Sequence, residues 1–225
     1  MHIEPGVVDA AKIGLSYATG AASFGLLGKL ALDTLKTSGV GAFVLRSAIA
    51  SALVFSFFEI LPHHAVGVSE VHLILGTTLF LLFGAGPAAV GLSLGLLIQG
   101  LFFAPFDLPQ YGMNVTTLLV PLAAMSVLAR KIIPENTAYK DVGYGQALKL
   151  SIAYQGGIVA WVAFWAFYGQ GFGAQNIANV LSFGAAYMSV IIIEPLIDLA
   201  VLAAAKSLSR VERSGLFQSR LYRAA

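Results

Sequence analysis

Long apolar segments separated by short polar connections are the feature that most limits what this chain can fold into. Only 11% of its 225 residues are charged and 58% are hydrophobic, whereas about a quarter of the residues in a soluble domain are charged. A helix needs about 20 apolar residues to cross the hydrocarbon core of a bilayer. The sequence therefore predicts an all-α fold, a polytopic membrane helical bundle.

We predict about seven transmembrane helices from these segments, which run over residues 7–35, 40–61, 71–83, 87–103, 113–128, 145–168 and 177–205. The third and fourth segments are short and are joined only by Gly84-Ala85-Gly86. They form either two short or tilted spans or one broken hairpin. We expect residues 1–206 to form a single transmembrane domain, followed by a basic cytoplasmic tail over residues 207–225.

The distribution of Lys and Arg predicts the orientation of the bundle. Of 13 basic residues, only Lys12 falls on the N-terminal side, and the others flank the first and fifth connections or lie in the tail. The connections at residues 62–70, 104–112 and 169–176 contain none. Because cytoplasmic loops carry the excess of Lys and Arg, the N-terminus is expected outside and the C-terminus inside.

Several functions are excluded by what the sequence lacks. There is no Cys, hence no disulfide and no Zn–thiolate or iron–sulfur site. No GxxxxGK[ST], HExxH or serine-elbow motif occurs, so we expect neither ATP hydrolysis by the chain itself nor protease activity. Nothing indicates nucleic-acid binding. Glu194 and Asp198 are expected to pair with Lys206 or to reach the inner interface.

The four histidines, His2, His63, His64 and His72, all fall on the outer side in this topology. We expect Met1 to be retained, because the following His2 is bulky. The α-amine of Met1, the amide of His2 and His2 Nδ1 then form fused chelate rings in one plane. This arrangement suits Ni(II), Co(II) or Cu(II) and leaves one in-plane position open. The alternative is a terminus that frays without a function.

His72 opens the third segment and is the candidate for the fourth ligand, since ionisable residues within spans are functional candidates. The alternative is an interfacial histidine that bonds water or headgroups. His63 and His64 are adjacent in a loop, so at most one of them faces the metal. They either capture the ion transiently or are simply solvated.

Polar residues around the later outer connections complete the candidate site. Gln99 lies within an apolar run and should form a hydrogen bond inside the protein. Asn114 either orients a ligating histidine or caps the fifth span. In the first segment, small residues recur every four positions and predict close helix packing, either within the chain or against another membrane subunit. These are Gly14, Ala18 and Ala22, with Ala21 and Gly25 beside them.

Four stretches of this sequence together resemble the substrate-binding membrane components of cobalt and nickel energy-coupling-factor transporters, the CbiM/NikM type. They are Met1-His2-Ile3 with Gly6, Ser69-Glu70-Val71-His72 with Gly76, Ile98-Gln99-Gly100-Leu101-Phe102-Phe103, and Gly112-Met113-Asn114. The resemblance implies Met1, His2 and His72 as metal ligands. The loop Pro105–Tyr111 departs from the family pattern, and we interpret its Asp107, together with Glu70, as a charge pair specific to this branch.

The resemblance also implies a mechanism. The protein would capture Co²⁺ or Ni²⁺ at the outer face of a bacterial cytoplasmic membrane as a transported ion, with no permanently bound cofactor. Its expected partners are a transmembrane coupling subunit, cytosolic ATPase subunits and a small accessory membrane subunit. The alternatives are a stand-alone channel or secondary carrier for another solute, and a structural or sensory subunit that binds no metal.

Overall fold

The structure is a computed structural model that describes residues 2–207, 212 and 214–224. Its α-helices are α1 Gly14–Glu59, α2 Gly76–Phe83, α3 Ala85–Phe102, α4 Tyr111–Ile132, α5 Tyr144–Gln170, α6 Ala174–Met188 and α7 Val190–Ser207. Two short strands, β1 His64–Val66 and β2 Ser69–Val71, form an antiparallel hairpin after α1. Short 3-10 helices cover Pro105–Gln110, Tyr139–Asp141 and Ser219–Leu221.

The helix α1 doubles back on itself at Gly39, whose φ of 78° and ψ of 167° are not helical. Glycine adopts a positive φ at little steric cost. Glycines of later helices lie close to α1 at four points, Ser16–Gly112, Leu30–Gly86, Ala50–Gly91 and Val54–Gly95. The arm before Gly39 therefore runs antiparallel to α3, and the arm after it runs parallel to α3. The two arms correspond to the first two predicted segments.

The first arm starts later than the sequence predicts. Residues 3–13 form an isolated bridge and turns, and helix α1 begins only at Gly14, so the expectation of a span from Val7 is wrong. Pro5 and Gly6 form the turn, and Gly6 has a φ of 89°. This frees the N-terminal residues to pair with the β1–β2 hairpin.

The third predicted segment is not a complete span. Helix α2 has eight residues, or about 12 Å of rise, too short to cross a bilayer alone. Leu75, at φ 54° and ψ 38°, ends the non-helical stretch that follows β2. The chain turns at Gly84 into α3. Residues 71–103 therefore form the broken hairpin, of which only the second arm is a full-length helix. Five helical stretches of the described chain, this arm included, are long and apolar enough to cross a membrane: Gly14–Glu59, Ala85–Phe102, Pro105–Ile132, Tyr144–Gln170 and Ala174–Ser207.

The last predicted segment is interrupted at Ser189, between α6 and α7. Glu194 and Asp198 of α7 do not pair with Lys206 or reach the interface. Lys206 Nζ lies 2.7 Å from Asp141 Oδ1 instead. The side chains of Glu194 and Asp198 have no exposed surface. The expectation for these residues is wrong because α7 turns this face toward the bundle interior.

The described part of the C-terminal segment is packed against the bundle. Arg46 of α1 donates hydrogen bonds to the carbonyl oxygens of Gly215 and Phe217 at 2.9 and 2.5 Å. Gln218 Nε2 donates to the carbonyl oxygen of Phe80 at 2.7 Å, and Leu221 is fully buried. This end of the bundle is opposite the end that holds residue 2. The orientation of the two ends relative to a membrane stays a prediction.

Of the two alternatives for the small-residue faces of α1, the structure contradicts packing within the chain. Gly14, Ala18, Ala21, Ala22 and Gly25 are all exposed. The buried positions on this arm are Ser16, Gly20 and Ser23. The small-residue face is thus an uncovered surface on the outside of the bundle.

Candidate metal centre

The N-terminal residues are held as a third strand beside the β1–β2 hairpin. Ile3 pairs with Ser69 in antiparallel fashion, and Glu70 N–H donates to the carbonyl oxygen of His2 at 3.0 Å. The same carbonyl accepts a second hydrogen bond from Ser69 Oγ at 2.8 Å. These bonds fix the backbone of His2, and only 3% of the residue is exposed.

The His2 side chain contacts Asp107. Its Nδ1 lies 2.5 Å from Asp107 Oδ2. Asp107 belongs to the 3-10 helix Pro105–Gln110 and is itself buried. His2 Nε2 is buried and has no hydrogen-bond partner among the described residues. The atypical loop of the sequence therefore supplies a carboxylate directly to the candidate ligand.

His72 follows β2 and is 1% exposed. Its Nε2 lies 2.9 Å from Glu70 Oε2. Burial lowers the pKa of His72 to about 3, although the hydrogen bond with Glu70 acts to raise this pKa. Burial acts to raise the pKa of Glu70, but the hydrogen bond with His72 and nearby positive charge lower it to about 2. At neutral pH a neutral His72 donates Nε2–H to an ionised Glu70, and His72 Nδ1 keeps its lone pair, buried with no hydrogen-bond partner among the described residues.

His2, Glu70 and His72 offer ligand atoms that all lie within 4.8 Å of one another. Two nitrogen ligands on opposite sides of one ion, each at about 2.0–2.1 Å, are about 4 Å apart. The upper limit of this spacing is therefore within about 1 Å of what one pair of opposite ligands needs. The rings of His2 and His72 are stacked with centroids 5.6 Å apart, and Phe58 meets both at their edges. The ring of Phe58 therefore covers the two imidazoles and limits the access of water to their nitrogens.

Carboxyl groups lie around the ring nitrogens of His2 and His72. Glu4 joins Glu70 and Asp107 here, since burial first, and then the charges of Glu70 and Asp107, raise the pKa of Glu4. Three carboxyl groups around two imidazoles attract cations and repel anions. The chemistry of the donor set fits a borderline divalent transition metal, for which imidazole nitrogen is a preferred ligand.

The other predicted site residues take different places. Asn114 lies inside α4, not at its start, and its Oδ1 accepts the N–H of Ile3 at 3.0 Å. It therefore holds the strand that carries His2, and it makes neither a cap of α4 nor a described hydrogen bond to a histidine ring. His63 is exposed but stacks on His72 with centroids 4.9 Å apart. His64 is exposed in β1.

Gln99 makes no described hydrogen bond to the imidazoles. Gln99 is 4% exposed, and its Oε1 has no hydrogen-bond partner in the described part of the chain. Met1 lies outside the described residues, so its role as a ligand stays a prediction.

Sequence reasoning did not include Phe58, Glu4 or Ser69 in the site. Ser69 stands in one of the stretches that carry the family resemblance, which was a usable signal. Phe58 is one of many aromatic residues in apolar segments, and no pattern distinguishes it. Glu4 lies two residues from His2, and in an extended strand alternate side chains share a face.

The N-terminal segment is also held from α5. Lys12 Nζ donates to the carbonyl oxygen of Gly169 at 2.7 Å. A Cβ atom placed on Gly169 would lie 1.8 Å from the carbonyl oxygen of Val7. The end of α5 therefore fits against the backbone of the segment that follows His2, and only glycine allows this approach.

Comparisons with known proteins agree with this picture. Residues 2–211 match the family "CbiM: Cobalt uptake substrate-specific transmembrane region". A crystal structure of a transition metal transporter has a TM-score of 0.69 at 20% identity and covers 93% of this chain and 94% of its own. A crystal structure of a truncated transition metal transporter has a TM-score of 0.69 at 20% identity, and the match covers 92% of this chain and 99% of that one. No curated protein matches the chain.

The predictions of an all-α membrane bundle and of the family are confirmed by the family match and the structural likeness. The protein is a multi-pass membrane protein and a component of metal uptake. From the match over nearly its whole length, this chain belongs to the CbiM family of cobalt uptake substrate-specific transmembrane regions.

Proposed function

We propose that this chain is the substrate-binding component of an ATP-driven uptake transporter for Co²⁺ or Ni²⁺. One observation carries the proposal: His2 and His72, far apart in sequence, are buried side by side, and within the described residues His72 Nδ1 has no partner while His2 Nδ1 has the Asp107 carboxylate. Buried polar atoms are normally hydrogen-bonded. Two imidazole nitrogens buried beside carboxylates, one of them unpaired within the described residues, provide what a transition-metal site requires before the ion binds.

The proposed ligands are the α-amine of Met1, the amide and Nδ1 of His2, and Nδ1 of His72. Coordination through His2 Nδ1 exchanges its contact with Asp107 for a bond to the ion, and Asp107 then offsets the positive charge nearby. Glu70 fixes the ring of His72 through Nε2, in the way that carboxylates orient metal-binding histidines. His63 stands beside His72 at the surface and is placed to capture the ion first.

The partners in this proposal are a transmembrane coupling subunit, cytosolic ATPases and a small accessory membrane subunit. The exposed small-residue face of α1 supports such docking, because small residues let membrane helices approach closely. The chain has no ATP-binding motif of its own. The proposed location is a bacterial cytoplasmic membrane, with the metal centre outside and the basic end inside.

Equilibrium dialysis of the purified full chain against Co²⁺ and Ni²⁺ tests the metal-binding function. We expect one tightly bound equivalent, and a loss of at least about 100-fold in affinity for the combined His2→Ala and His72→Ala substitutions, because removing even an orienting partner costs about 10–100-fold. His64→Ala is the matched control, since this imidazole is exposed in β1. Equal affinities for all three forms would refute the proposal.

Substitution of the carboxylate that orients His72 gives a smaller effect. We expect Glu70→Gln to weaken metal binding by about 10-fold, because the amide cannot hold His72 Nε2–H as strongly as a carboxylate does. The measurement is the dissociation constant from dialysis. Glu135→Gln removes an exposed carboxylate at the opposite end and should leave the constant unchanged. An unaltered constant for Glu70→Gln would show that Glu70 does not act through His72.

Uptake assays separate this proposal from a stand-alone channel or secondary carrier. Cells that produce this chain without coupling and ATPase subunits should accumulate no more Co²⁺ or Ni²⁺ than control cells. Accumulation that persists without any ATPase would favour the alternative.

A further inference from the structure

The carboxylate of Asp107 lies directly against the His2 nitrogen that is a proposed ligand. Its Oδ2 is 2.5 Å from His2 Nδ1, and Asp107 is only 6% exposed. Among the described residues, His2 is the one hydrogen-bond partner of this carboxylate. The lone pair with which Nδ1 binds a metal has the same direction as a hydrogen bond at this nitrogen. An ion bound to Nδ1 therefore lies beside Asp107.

The distance between these two atoms is close to the distance between neighbouring ligands of one ion. With Zn²⁺ as the guide, imidazole nitrogen binds at about 2.0–2.1 Å and carboxylate oxygen at about 2.0–2.2 Å. Two such ligands at a right angle are about 2.9 Å apart. Asp107 Oδ2 therefore needs to move only about 0.4 Å farther from His2 Nδ1 to become a ligand beside it.

A rigid turn holds Asp107 in this place. The 3-10 helix Pro105–Gln110 has proline at its first and fifth positions, and proline fixes the φ angle. The N–H of Asp107 donates to the carbonyl oxygen of Ala104 at 3.0 Å. The next residue, Leu108, packs tightly on Gly100 of α3, where a Cβ would lie 2.9 Å from Leu108 Cδ2. The carboxylate thus stays near the ion and does not withdraw into solvent.

Glu70 is the carboxylate grouped with both imidazoles, but its position serves a different purpose. Its Oε2 accepts a hydrogen bond from His72 Nε2 at 2.9 Å. This nitrogen points away from Nδ1 of the same ring, which is the proposed ligand. Glu70 therefore orients a ligand, whereas Asp107 meets the ion itself.

The charge of the proposed nitrogen ligands leaves room for one carboxylate. A divalent ion bound to the neutral amine of Met1, the deprotonated amide of His2 and two neutral imidazoles keeps one positive charge. An uncompensated charge is costly in a buried place, and His2 and His72 are 3% and 1% exposed. One carboxylate bound to the ion makes the whole group neutral.

The direction left open for this carboxylate is perpendicular to the plane of the nitrogens. The amine of Met1, the amide of His2 and His2 Nδ1 form fused rings in one plane, and His72 Nδ1 takes the remaining in-plane position. A ligand above this plane changes the metal preference, because Ni²⁺ favours square-planar surroundings. Co²⁺ accepts a fifth ligand more readily.

We propose that Asp107 is a fifth, axial ligand of the transported ion and makes this metal centre favour Co²⁺ over Ni²⁺. This rests on the proposed function, because it requires the four nitrogen ligands. The specificity of the centre then comes from the atypical loop Pro105–Tyr111, while the nitrogens supply most of the affinity.

X-ray absorption at the nickel K-edge of the Ni²⁺-loaded full chain tests the fifth ligand. Square-planar Ni²⁺ gives a sharp feature on this edge, from the excitation of a 1s electron into the empty 4p orbital perpendicular to the plane, and an axial ligand removes it. We expect the feature to be absent from the native chain and present in D107A and D107L. Leucine keeps nearly the volume of aspartate without a ligand atom, so D107L separates loss of the ligand from loss of packing.

Competition dialysis with Co²⁺ and Ni²⁺ tests the preference. We expect D107L to shift the ratio of the two dissociation constants toward Ni²⁺ by about tenfold, since selectivity among these ions depends on geometry. The matched control is E4Q, which removes another carboxyl group near the imidazoles. It should weaken both ions alike and leave the nickel edge as it is in the native chain, because a charge that is not a ligand does not change the coordination number.

Two results would overturn the fifth ligand. One is a square-planar edge feature in the native chain, and the other is the same edge in the native chain, D107A and D107L. Each variant must still bind one tight equivalent and elute as the native chain does in gel filtration, and either variant alone suffices for the comparison. Absence of the tight equivalent from the native chain would instead contradict the proposed function, so the two failures are distinguishable.

Discussion

Extending the chain by two residues before Met1, for instance Gly-Ser, is expected to lower its affinity for Co²⁺ and Ni²⁺ by more than about 100-fold. The extension turns the proposed α-amine ligand into an amide and places extra atoms where the chelate forms. Loss of a partner that merely orients a ligand costs about 10–100-fold, so loss of a ligand costs more. Equilibrium dialysis measures the effect.

The control for this extension is the same dipeptide added after Ala225, beyond a described segment that packs at the other end of the bundle, and it should leave the affinity unchanged. The described strand gives the extension little room, since His2 and Ile3 are 3% and 0% exposed. Both extended proteins should elute as the unextended chain does in gel filtration. If the N-terminal extension binds metal as tightly as the native chain, the α-amine is not a ligand.

Gly169→Ala is expected to weaken metal binding by about 10- to 100-fold without touching any candidate ligand. The added Cβ would lie 1.8 Å from the carbonyl oxygen of Val7, so the N-terminal segment must move away from α5. Overpacking of this kind costs about 1–3 kcal/mol, and each 1.4 kcal/mol corresponds to a tenfold change in affinity. The affected residues, 2–8, should also exchange their amide hydrogens faster.

Gly156→Ala is the matched control for this substitution. It lies on the same helix, and a Cβ there meets nothing within 4 Å. We expect it to bind metal as the native chain does. If Gly169→Ala also binds normally, the contact between α5 and the N-terminal segment does not hold the metal centre together.

The sequence predicts the membrane class and most helix positions well, because hydrophobic length is a local property. It fails where the backbone is directed by distant partners. Residues 7–13 look like the start of an apolar span, yet they form turns, since Ile3 pairs with Ser69 and Lys12 is bonded at Gly169. No local pattern reveals these two contacts.

The residues of the candidate site are likewise predicted from the sequence only in part. His2 and His72 stand out because this chain has only four histidines and few charged residues. The roles of their neighbours depend on packing: Asp107 contacts His2, and Asn114 binds the backbone of Ile3 where it was expected to orient a ring or cap a helix. Glu194 and Asp198 were expected at an interface, because helical spacing alone does not show which face of α7 is covered.

The pairing of residues 2–4 with residues 68–70 also has a consequence for biosynthesis. The first residues to leave the ribosome have no partner until the β1–β2 hairpin has been made, when about a third of the chain exists. Their strand closes a loop that contains both arms of α1, and such closure follows the formation of local helices. During this interval residues 2 and 3 are accessible to other proteins, and once paired they are buried. Any enzyme that acts on these residues is therefore limited to the period of synthesis that ends when the hairpin forms.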